Sequence, residues 1–153
     1  MLQETKCLED SLRNLGTRVW RGSKTIRIDA NGAVGGMGIW WNPQEVFLIN
    51  FVATKYSITA EFHIMGTRVR GWLTNVYGPF LASRKQAFVE SIGTTKNWVR
   101  SRHWVMGGDF NLIRSLEEKK GGQISLSKFC EMFNEKITNW ELADMATSNH
   151  IFT

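Results

Sequence analysis

Apolar residues recur along this chain at two spacings, and the change from one to the other divides the sequence. Between residues 18 and 77 they form short runs, or alternate with polar residues as in Tyr56 to Ile64, which is typical of β-strands joined by turns. From Ser83 to Arg100, and again from Leu126 to Trp140, they recur every three or four residues, as on an amphipathic helix. The pattern predicts an α+β fold in which an antiparallel or mixed sheet precedes most of the helices.

The same pattern predicts the bounds of individual elements and the faces that they bury. The predicted strands cover residues 18–27, 35–41, 46–52, 56–64, 68–77 and 104–106, and a first helix is predicted at 6–15. In the strand at 56–64, alternation predicts a polar face in contact with water, made of Ser57, Thr59, Glu61 and His63.

The two later helices are predicted to bury one face each. Ser83 is the expected N-cap of the helix at 83–100. Its inward residues are predicted to be Phe88, Ile92, Thr95 and Val99. Those of the helix at 126–140 are predicted to be Phe129, Phe133 (or Met132), Ile137 (or Lys136) and Trp140. Asn134 and Glu135 of the second helix are expected on its solvent face.

The composition indicates a globular protein of one domain or part of one. Of 153 residues, 42% are hydrophobic, and 7 Trp with 9 Phe exclude a disordered chain. Cys7 and Cys130 make no disulfide framework, so an intracellular protein, nuclear or cytoplasmic, is expected. We expect no membrane contact, because the sequence has neither a long apolar run nor a signal-peptide pattern. The net charge of +5 suits a polyanionic partner, although no long run of basic residues occurs.

The stretch from His103 to Asn111 carries the strongest candidate chemistry. An apolar strand ends in Gly107 and Gly108, and Asp109 and Asn111 follow two residues apart. In extended backbone, residues at this spacing point the same way, so the two side chains are expected to converge. Gly, Asp and Asn are also ordinary turn residues, and the stretch by itself favours a turn.

Four polar residues follow the ends of apolar strands: Glu4, Tyr77, Asp109 and Asn111. Each has a structural alternative, since Glu4 could begin a helix and Tyr77 could be a half-buried aromatic before a turn. Together they supply oxygen ligands without sulfur or histidine, which suits Mg²⁺ or Mn²⁺ bridging to a phosphate. His63, beside Glu61 on a polar strand face, is expected to be a surface histidine.

Several motifs together resemble the endonuclease/exonuclease/phosphatase superfamily. They are Leu2-Gln3-Glu4-Thr5-Lys6, Gly35-Gly36-Met37-Gly38-Ile39-Trp40-Trp41, Asn75-Val76-Tyr77-Gly78-Pro79 and Gly107-Gly108-Asp109-Phe110-Asn111. Within that superfamily the chain is most similar to the endonuclease domain of LINE-type, non-LTR retrotransposon polyproteins. The resemblance extends through Glu118-Lys119-Lys120-Gly121-Gly122 to the closing Phe152-Thr153, and so covers essentially the whole chain.

The resemblance implies a four-layer α/β-sandwich, with helices outside two packed sheets, and Mg²⁺-dependent hydrolysis of a DNA phosphodiester. By motif position, Glu4 would hold the metal and Tyr77 would contact the scissile phosphate. Asp109 would assist proton transfer or the leaving oxygen, and Asn111 would orient the phosphate. Thr153 corresponds to a threonine that neighbours the phosphate in such enzymes.

The sequence also departs from the family pattern. The family has an asparagine-bearing strand before the Gln-Glu motif, and two later strands with an aspartate and a Ser-Asp-His triplet that positions the attacking water; this sequence contains neither. Ser148-Asn149 also precede the closing motif where a glycine is usual. We therefore expect residues 1–153 to form a single partial domain, with exposed sheet edges, marginal stability and little or no nuclease activity.

The sequence is compatible with three functions. The chain could be a fragment of a retrotransposon-type DNA endonuclease, or a non-catalytic remnant that binds nucleic acid. A weaker alternative is a phosphatase that acts on a phosphorylated lipid or inositol. The segment from Glu118 to Gly122 favours the retrotransposon endonuclease.

Overall fold

The computed structural model describes residues 2–3, 21–28, 36–101, 103–118 and 127–145. In chain order, the strands and helices are β1 (Leu2–Gln3), β2 (Lys24–Ile28), β3 (Met37–Trp41), β4 (Val46–Ala53), β5 (Ser57–Ile64), β6 (Arg70–Tyr77), α1 (Ala82–Trp98), β7 (Trp104–Asp109), a 3₁₀ turn (Leu116–Glu118) and α2 (Lys128–Asn139). The order of elements confirms the predicted α+β class. The helix predicted at 6–15 lies outside the described residues.

The strands form two sheets. In the first sheet β3 lies between β1 and β2, and both pairings are antiparallel. In the second sheet, in the order β4-β5-β6-β7, the first three strands make an antiparallel meander and β7 runs parallel to β6. A parallel pair requires a crossover, and α1 provides it between β6 and β7. The second sheet is therefore mixed, as the sequence predicted.

The second sheet is covered on both faces. On one face, Ile58 and Ala60 of β5 pack against Met37 and Ile39 of the first sheet. On the other face, a cluster that includes Val76 packs against the inward residues of both helices: Phe88, Val89, Ile92, Phe133 and Ile137. The described residues thus build a layer of helices on two packed sheets, three of the four layers that the sequence predicted.

The polar face of β5 differs from its prediction. Ser57 and Thr59 were expected to face water, but both are buried, because the helices cover that end of the sheet. The Thr59 hydroxyl lies 3.1 Å from the hydroxyl of Thr74, which also accepts a hydrogen bond of 2.9 Å from the Trp104 indole nitrogen. Only the end of β5 that carries Glu61 remains partly exposed. Polar residues are tolerated at these buried strand positions because the hydroxyls of Thr59 and Thr74 form a hydrogen bond with each other.

Most of the inward residues predicted for the helices are buried, although Phe129 and Trp140 are only half-buried, and α1 begins differently. Phe88, Ile92, Thr95 and Val99 are all buried. Ser83 is not the N-cap: α1 begins at Ala82 after Leu81, whose side chain makes no capping hydrogen bond. In α2, Ser127 caps the helix by accepting a hydrogen bond from the backbone N–H of Cys130, which is itself buried.

Asn134 of α2 is a correction to the sequence analysis, which put it on the solvent face. Its side-chain oxygen accepts a hydrogen bond of 2.9 Å from Arg114 Nε, and its side-chain nitrogen donates one of 2.6 Å to the Arg114 carbonyl. Arg114 also forms an ion pair of 2.5 Å with Asp144. These contacts hold the segment after β7 against α2.

Candidate active site

The candidate site lies at the C-terminal end of the only parallel strand pair among the described strands. Tyr77 ends β6, Asp109 ends β7, and the two residues are direct partners in the ladder. Residues paired in this way project from the same face of a sheet. That face is turned toward the first sheet, because Tyr77 packs against the cluster of Met37, Ile39 and Ile58. Asp109 is exposed to solvent and Tyr77 is half-buried.

Asn75, two residues before Tyr77 on the same face, ties the two sheets together beneath the site. It is fully buried, and its side-chain nitrogen donates a hydrogen bond of 3.1 Å to the carbonyl of Gly38 in β3. Removing a partner from a buried hydrogen bond leaves a polar group unsatisfied, at about 1–3 kcal/mol. The spacing of the sheets at this end is therefore held by a specific contact as well as by apolar packing.

Two glycines allow the chain segments of the site to approach each other. A Cβ on Gly78 would lie 2.0 Å from the Phe110 carbonyl oxygen, and the Gly78 N–H donates a hydrogen bond of 2.6 Å to the Asp109 carbonyl. Gly108 has φ +140, and a Cβ there would lie 2.0 Å from the Val76 carbonyl oxygen. The close approach at position 78 was not predicted from the sequence.

Asp109 and Asn111 converge, but through a turn and not through extended backbone. Asn111 has φ 48, in the left-handed region that asparagine tolerates better than most residues. The Asp109 carboxylate accepts hydrogen bonds of 2.9 Å from the Asn111 backbone N–H and 3.3 Å from its side-chain nitrogen. The same nitrogen donates one of 2.8 Å to the Gly78 carbonyl, so both strand ends meet at this amide. The turn and the convergence, alternatives in the sequence, occur together.

A basic residue and an aromatic contact complete the surroundings. Lys85 of α1 donates a hydrogen bond of 2.8 Å from its Nζ to the Asn111 carbonyl, which brings a positive charge to the site. Phe110, between Asp109 and Asn111, packs against Phe133 of α2 with ring centroids 5.1 Å apart. The sequence analysis missed Lys85 because it lies 26 residues from Asn111 in the chain and no local pattern marks it.

Glu4 and Thr153 lie outside the described residues, so their predicted roles stay predictions. The strand before Glu4, β1, contacts both β6 and β7. Among the described residues no group of three or more His, Cys, Asp or Glu side chains could hold a metal ion. Asp109 is the carboxylate at these two described strand ends, and carboxylate oxygens are ligands that Mg²⁺ and Mn²⁺ accept together with waters and phosphate oxygens.

The histidines of the described residues lie away from the candidate site. His63 pairs with Arg70 at the first residue of β6, the end of the strand opposite Tyr77, and its Nε2 lies 2.8 Å from the Thr67 carbonyl. His103 directly precedes β7, again at the end opposite Asp109. His63 is thus partnered within its own turn, as expected of a surface histidine. Neither ring is placed to act on a group held at Asp109.

A cavity of about 250 Å³ opens between the two sheets, but it is not part of the candidate site. Its apolar wall includes Trp41 at the end of β3, Val46 at the start of β4 and Phe62 near the end of β5. By the strand register these positions are at the end of the sandwich opposite Tyr77 and Asp109. Its lining also includes the polar residues Asn42 and Glu45, which lie in the turn between β3 and β4.

No protein-family model matches the sequence, and no curated protein matches it either. Solved structures do match. The chain is similar to an endonuclease/exonuclease/phosphatase family protein from Bacteroides thetaiotaomicron, with TM-score 0.60, 10% identity, and coverage of 83% of this chain and 51% of that one. It is similar to the human nocturnin catalytic domain, with TM-score 0.64, 12% identity, and coverage of 91% and 55%.

A third similar structure is the endonuclease domain of TRAS1, a telomere-specific non-LTR retrotransposon, with TM-score 0.61, 13% identity, and coverage of 80% of this chain and 54% of that one. Identities this low establish the fold alone. The chain therefore has the endonuclease/exonuclease/phosphatase fold that the motifs predicted, and it spans about half the length of the solved structures it matches. No described helix is long and apolar enough to cross a membrane.

Proposed function

We propose that the edge formed by Tyr77, Asp109 and Asn111 binds a phosphodiester group of DNA, as part of a metal-dependent endonuclease domain of the retrotransposon type. The observation that carries the proposal is the joining of two parallel strand ends by one amide. Asn111 bonds to Gly78 after β6 and to Asp109 at the end of β7. Open α/β sheets bind ligands beyond the carboxyl ends of parallel strands, where this pair ends.

A separate task is proposed for each side chain of the site. The Asn111 amide makes a short bond of 2.8 Å to Gly78 and a longer one of 3.3 Å to Asp109. A bound phosphate oxygen would replace Asp109 as the acceptor of the longer bond, while the shorter bond keeps the amide in place. The Tyr77 hydroxyl contacts the same phosphate, and Lys85 adds positive charge to the site. Asp109 assists proton transfer or the departure of the leaving oxygen, which must gain a proton as its bond to phosphorus breaks.

Glu4, the residue after β1, is the proposed ligand of Mg²⁺ or Mn²⁺. Bound metal would stabilise negative charge on the phosphate oxygens as the phosphodiester is cleaved. The chain's own contribution is to orient the phosphate by fixed hydrogen-bond donors, which need no reorganisation during the reaction.

DNA binding and DNA cleavage have different requirements, and we expect the chain to meet only those of binding. Hydrolysis also needs a group that positions water opposite the leaving oxygen, and the described histidines lie at the other end of the sheet. We therefore expect DNA binding with little nicking of supercoiled plasmid. Nicking at rates usual for such nucleases, lost in Glu4→Ala, would contradict that expectation.

Two other functions are compatible with this fold. The first is DNA binding without any hydrolysis, which is favoured by the position of the two described histidines, His63 and His103, at the other end of the sheet. The second is a phosphatase acting on a small phosphate ester, since a mannosyl-6-phosphatase from Bacteroides thetaiotaomicron is among the similar structures, with TM-score 0.58 and 11% identity. The net charge of +5 favours a polyanion over a small phosphate ester.

The test is fluorescence anisotropy of a labelled DNA duplex at fixed low salt, with and without Mg²⁺. Asn111→Ala is expected to weaken binding about tenfold, the effect of losing a charge-assisted hydrogen bond and its turn. Asn50→Ala, an exposed asparagine on β4, is the matched control and should leave binding unchanged. Equal binding by both variants would overturn the proposed site. Competition by a phosphorylated sugar as strong as by DNA would favour a phosphatase.

A further inference from the structure

Asn111 is held in an uncommon backbone conformation by contacts from three directions. Its φ of 48 lies in the left-handed region, where a residue with a side chain persists only when its surroundings fix it. Its backbone N–H donates to Asp109 at 2.9 Å, and its side-chain nitrogen donates to the Gly78 carbonyl at 2.8 Å. Its own carbonyl accepts a hydrogen bond of 2.8 Å from Lys85 Nζ. Both strand ends and α1 therefore determine where the Asn111 amide points.

Lys85 is the contact that α1 contributes. It is half-buried and lies three residues before Phe88, which is fully buried against the sheet. Residues three apart share a face of a helix, so Lys85 emerges from the packed side of α1 and not from its outer surface. The first turn of α1 contains no acidic residue, and the ion pairs that join described residues do not involve Lys85. Its ammonium is thus directed to the Asn111 carbonyl without competition from a carboxylate in that turn.

A lysine beside a phosphate site can act in two ways: it can bind a phosphate oxygen directly, or it can hold another phosphate-binding residue in place. The geometry favours the second for Lys85, because its Nζ is already bonded to backbone at 2.8 Å. That backbone belongs to the residue whose amide joins the two strand ends. Without the bond from Lys85, Asn111 loses its contact with α1, and its left-handed conformation is held by the strand ends alone.

We propose that Lys85 is a positioning residue, which acts on bound DNA through Asn111 and does not itself contact a phosphate. By holding the Asn111 carbonyl, Lys85 keeps the side-chain amide directed at the place of the phosphate. The inference rests on the proposed function of that site. A donor held in this way needs no reorganisation when the phosphate binds. Because α1 is the crossover between β6 and β7, one lysine connects the packing of the helix to the ends of both strands.

The experiment measures DNA affinity of the full chain at several salt concentrations. A lysine that contacts a phosphate displaces a counterion, so its removal lowers the slope of log K against log salt by about 0.9. A lysine that acts through a carbonyl lowers the affinity and leaves the slope unchanged. Lys85→Met keeps the aliphatic stem without the ammonium, and it should weaken binding about tenfold at an unchanged slope. Lys85→Arg should restore most of the affinity, because a guanidinium also donates to a carbonyl.

Solvent exchange of the Asn111 side-chain protons, followed by NMR in the absence of DNA, is the second readout. Lys85→Met should accelerate this exchange, because the amide is no longer fixed against the Gly78 carbonyl. Arg84→Met is the matched control, since Arg84 is the exposed basic residue that directly precedes Lys85. It removes the same charge and should leave the exchange unchanged.

The outcomes separate the positioning role from the phosphate site. If Lys85→Met binds as wild type while Asn111→Ala loses binding, the positioning role is wrong and the phosphate site stands. A slope that falls by about 0.9 in Lys85→Met would also overturn the role, in favour of a direct phosphate contact. If neither variant affects binding, the proposed function fails. Exchange of the Asn111 protons that is unchanged in Lys85→Met would refute the positioning role whatever the binding results.

Discussion

Adding one methyl group to Gly78 tests whether the close approach of the two strand ends positions the candidate site. Gly78→Ala places a Cβ 2.0 Å from the Phe110 carbonyl oxygen, which belongs to backbone and cannot rotate away. The segment with Phe110 must move outward. That movement stretches the hydrogen bonds of Gly78 to Asp109, 2.6 Å, and to Asn111, 2.8 Å.

The cost follows from these contacts. Overpacking a tight site costs about 1–3 kcal/mol, and each weakened hydrogen bond adds about 0.5–1.5 kcal/mol. We expect Gly78→Ala to lower the free energy of unfolding by about 2–6 kcal/mol, a large part of the total of about 5–15 kcal/mol for a typical domain.

Gly93→Ala is the matched control, because it adds the same methyl group in a different setting. At Gly93 the Cβ would lie 3.1 Å from Lys136 Nζ, the movable end of a flexible side chain. Gly93 is inside α1, where alanine favours the helix by about 0.8–1.0 kcal/mol. The two substitutions should therefore change stability in opposite directions.

The assay is urea unfolding followed by tryptophan fluorescence, with amide NMR spectra of each folded variant. Gly78→Ala should lower the midpoint and shift the amide signals of Asp109 and Asn111, while Gly93→Ala should do neither. A Gly78→Ala protein as stable as wild type, with the Asn111 signal unmoved, would refute the close approach and the positioning role that rests on it.

Three further substitutions test other parts of the structure. Thr74→Val removes the acceptor of the Trp104 indole N–H and should cost about 1–3 kcal/mol in urea unfolding; an unchanged midpoint would show that this bond is not formed. Asn134→Ala removes the hydrogen bonds that join α2 to Arg114, and it should accelerate amide hydrogen exchange in residues 112–118. Unchanged exchange would mean that α2 does not hold residues 112–118 in place. Phe47→Lys puts a charge on β4, which pairs only with β5 among the described strands and so forms an edge of the sheet. The charge should slow aggregation, measured by light scattering. An unchanged rate would mean that the chains do not aggregate by pairing their β4 edges.

The class of fold and the order of its elements were predictable from spacing alone, because strands and helices impose periods of two and 3.6 residues on their buried faces. Alternation reports which residues share a face, but it does not report whether another layer covers that face. For this reason Ser57 and Thr59, which are polar, were wrongly expected in water. Ser83 was a reasonable cap by residue type, yet the helix begins one residue earlier.

The candidate site was partly predictable because strand ends and turn residues are marked locally. Asp109 and Asn111 are two residues apart, and Tyr77 precedes a Gly-Pro pair that ends a strand. Gly78 and Lys85 escaped the sequence analysis, since their importance arises from contacts across 31 and 26 residues of chain, Gly78 to Asp109 and Lys85 to Asn111. Contacts of this kind exist only once β6 and β7 are paired.

The most direct test of the central claim is a titration of the chain with Mn²⁺, followed by the paramagnetic loss of amide NMR signals. Binding at the proposed edge predicts that the amides of Gly78, Asp109 and Asn111 lose intensity first, and that Glu4→Gln abolishes the effect. The control variant Glu61→Gln changes a carboxylate paired with Arg70 elsewhere on the sheet and should leave the titration unchanged. Loss centred on other residues, or uniform loss that survives Glu4→Gln, would contradict a metal-assisted phosphodiester site at the ends of β6 and β7.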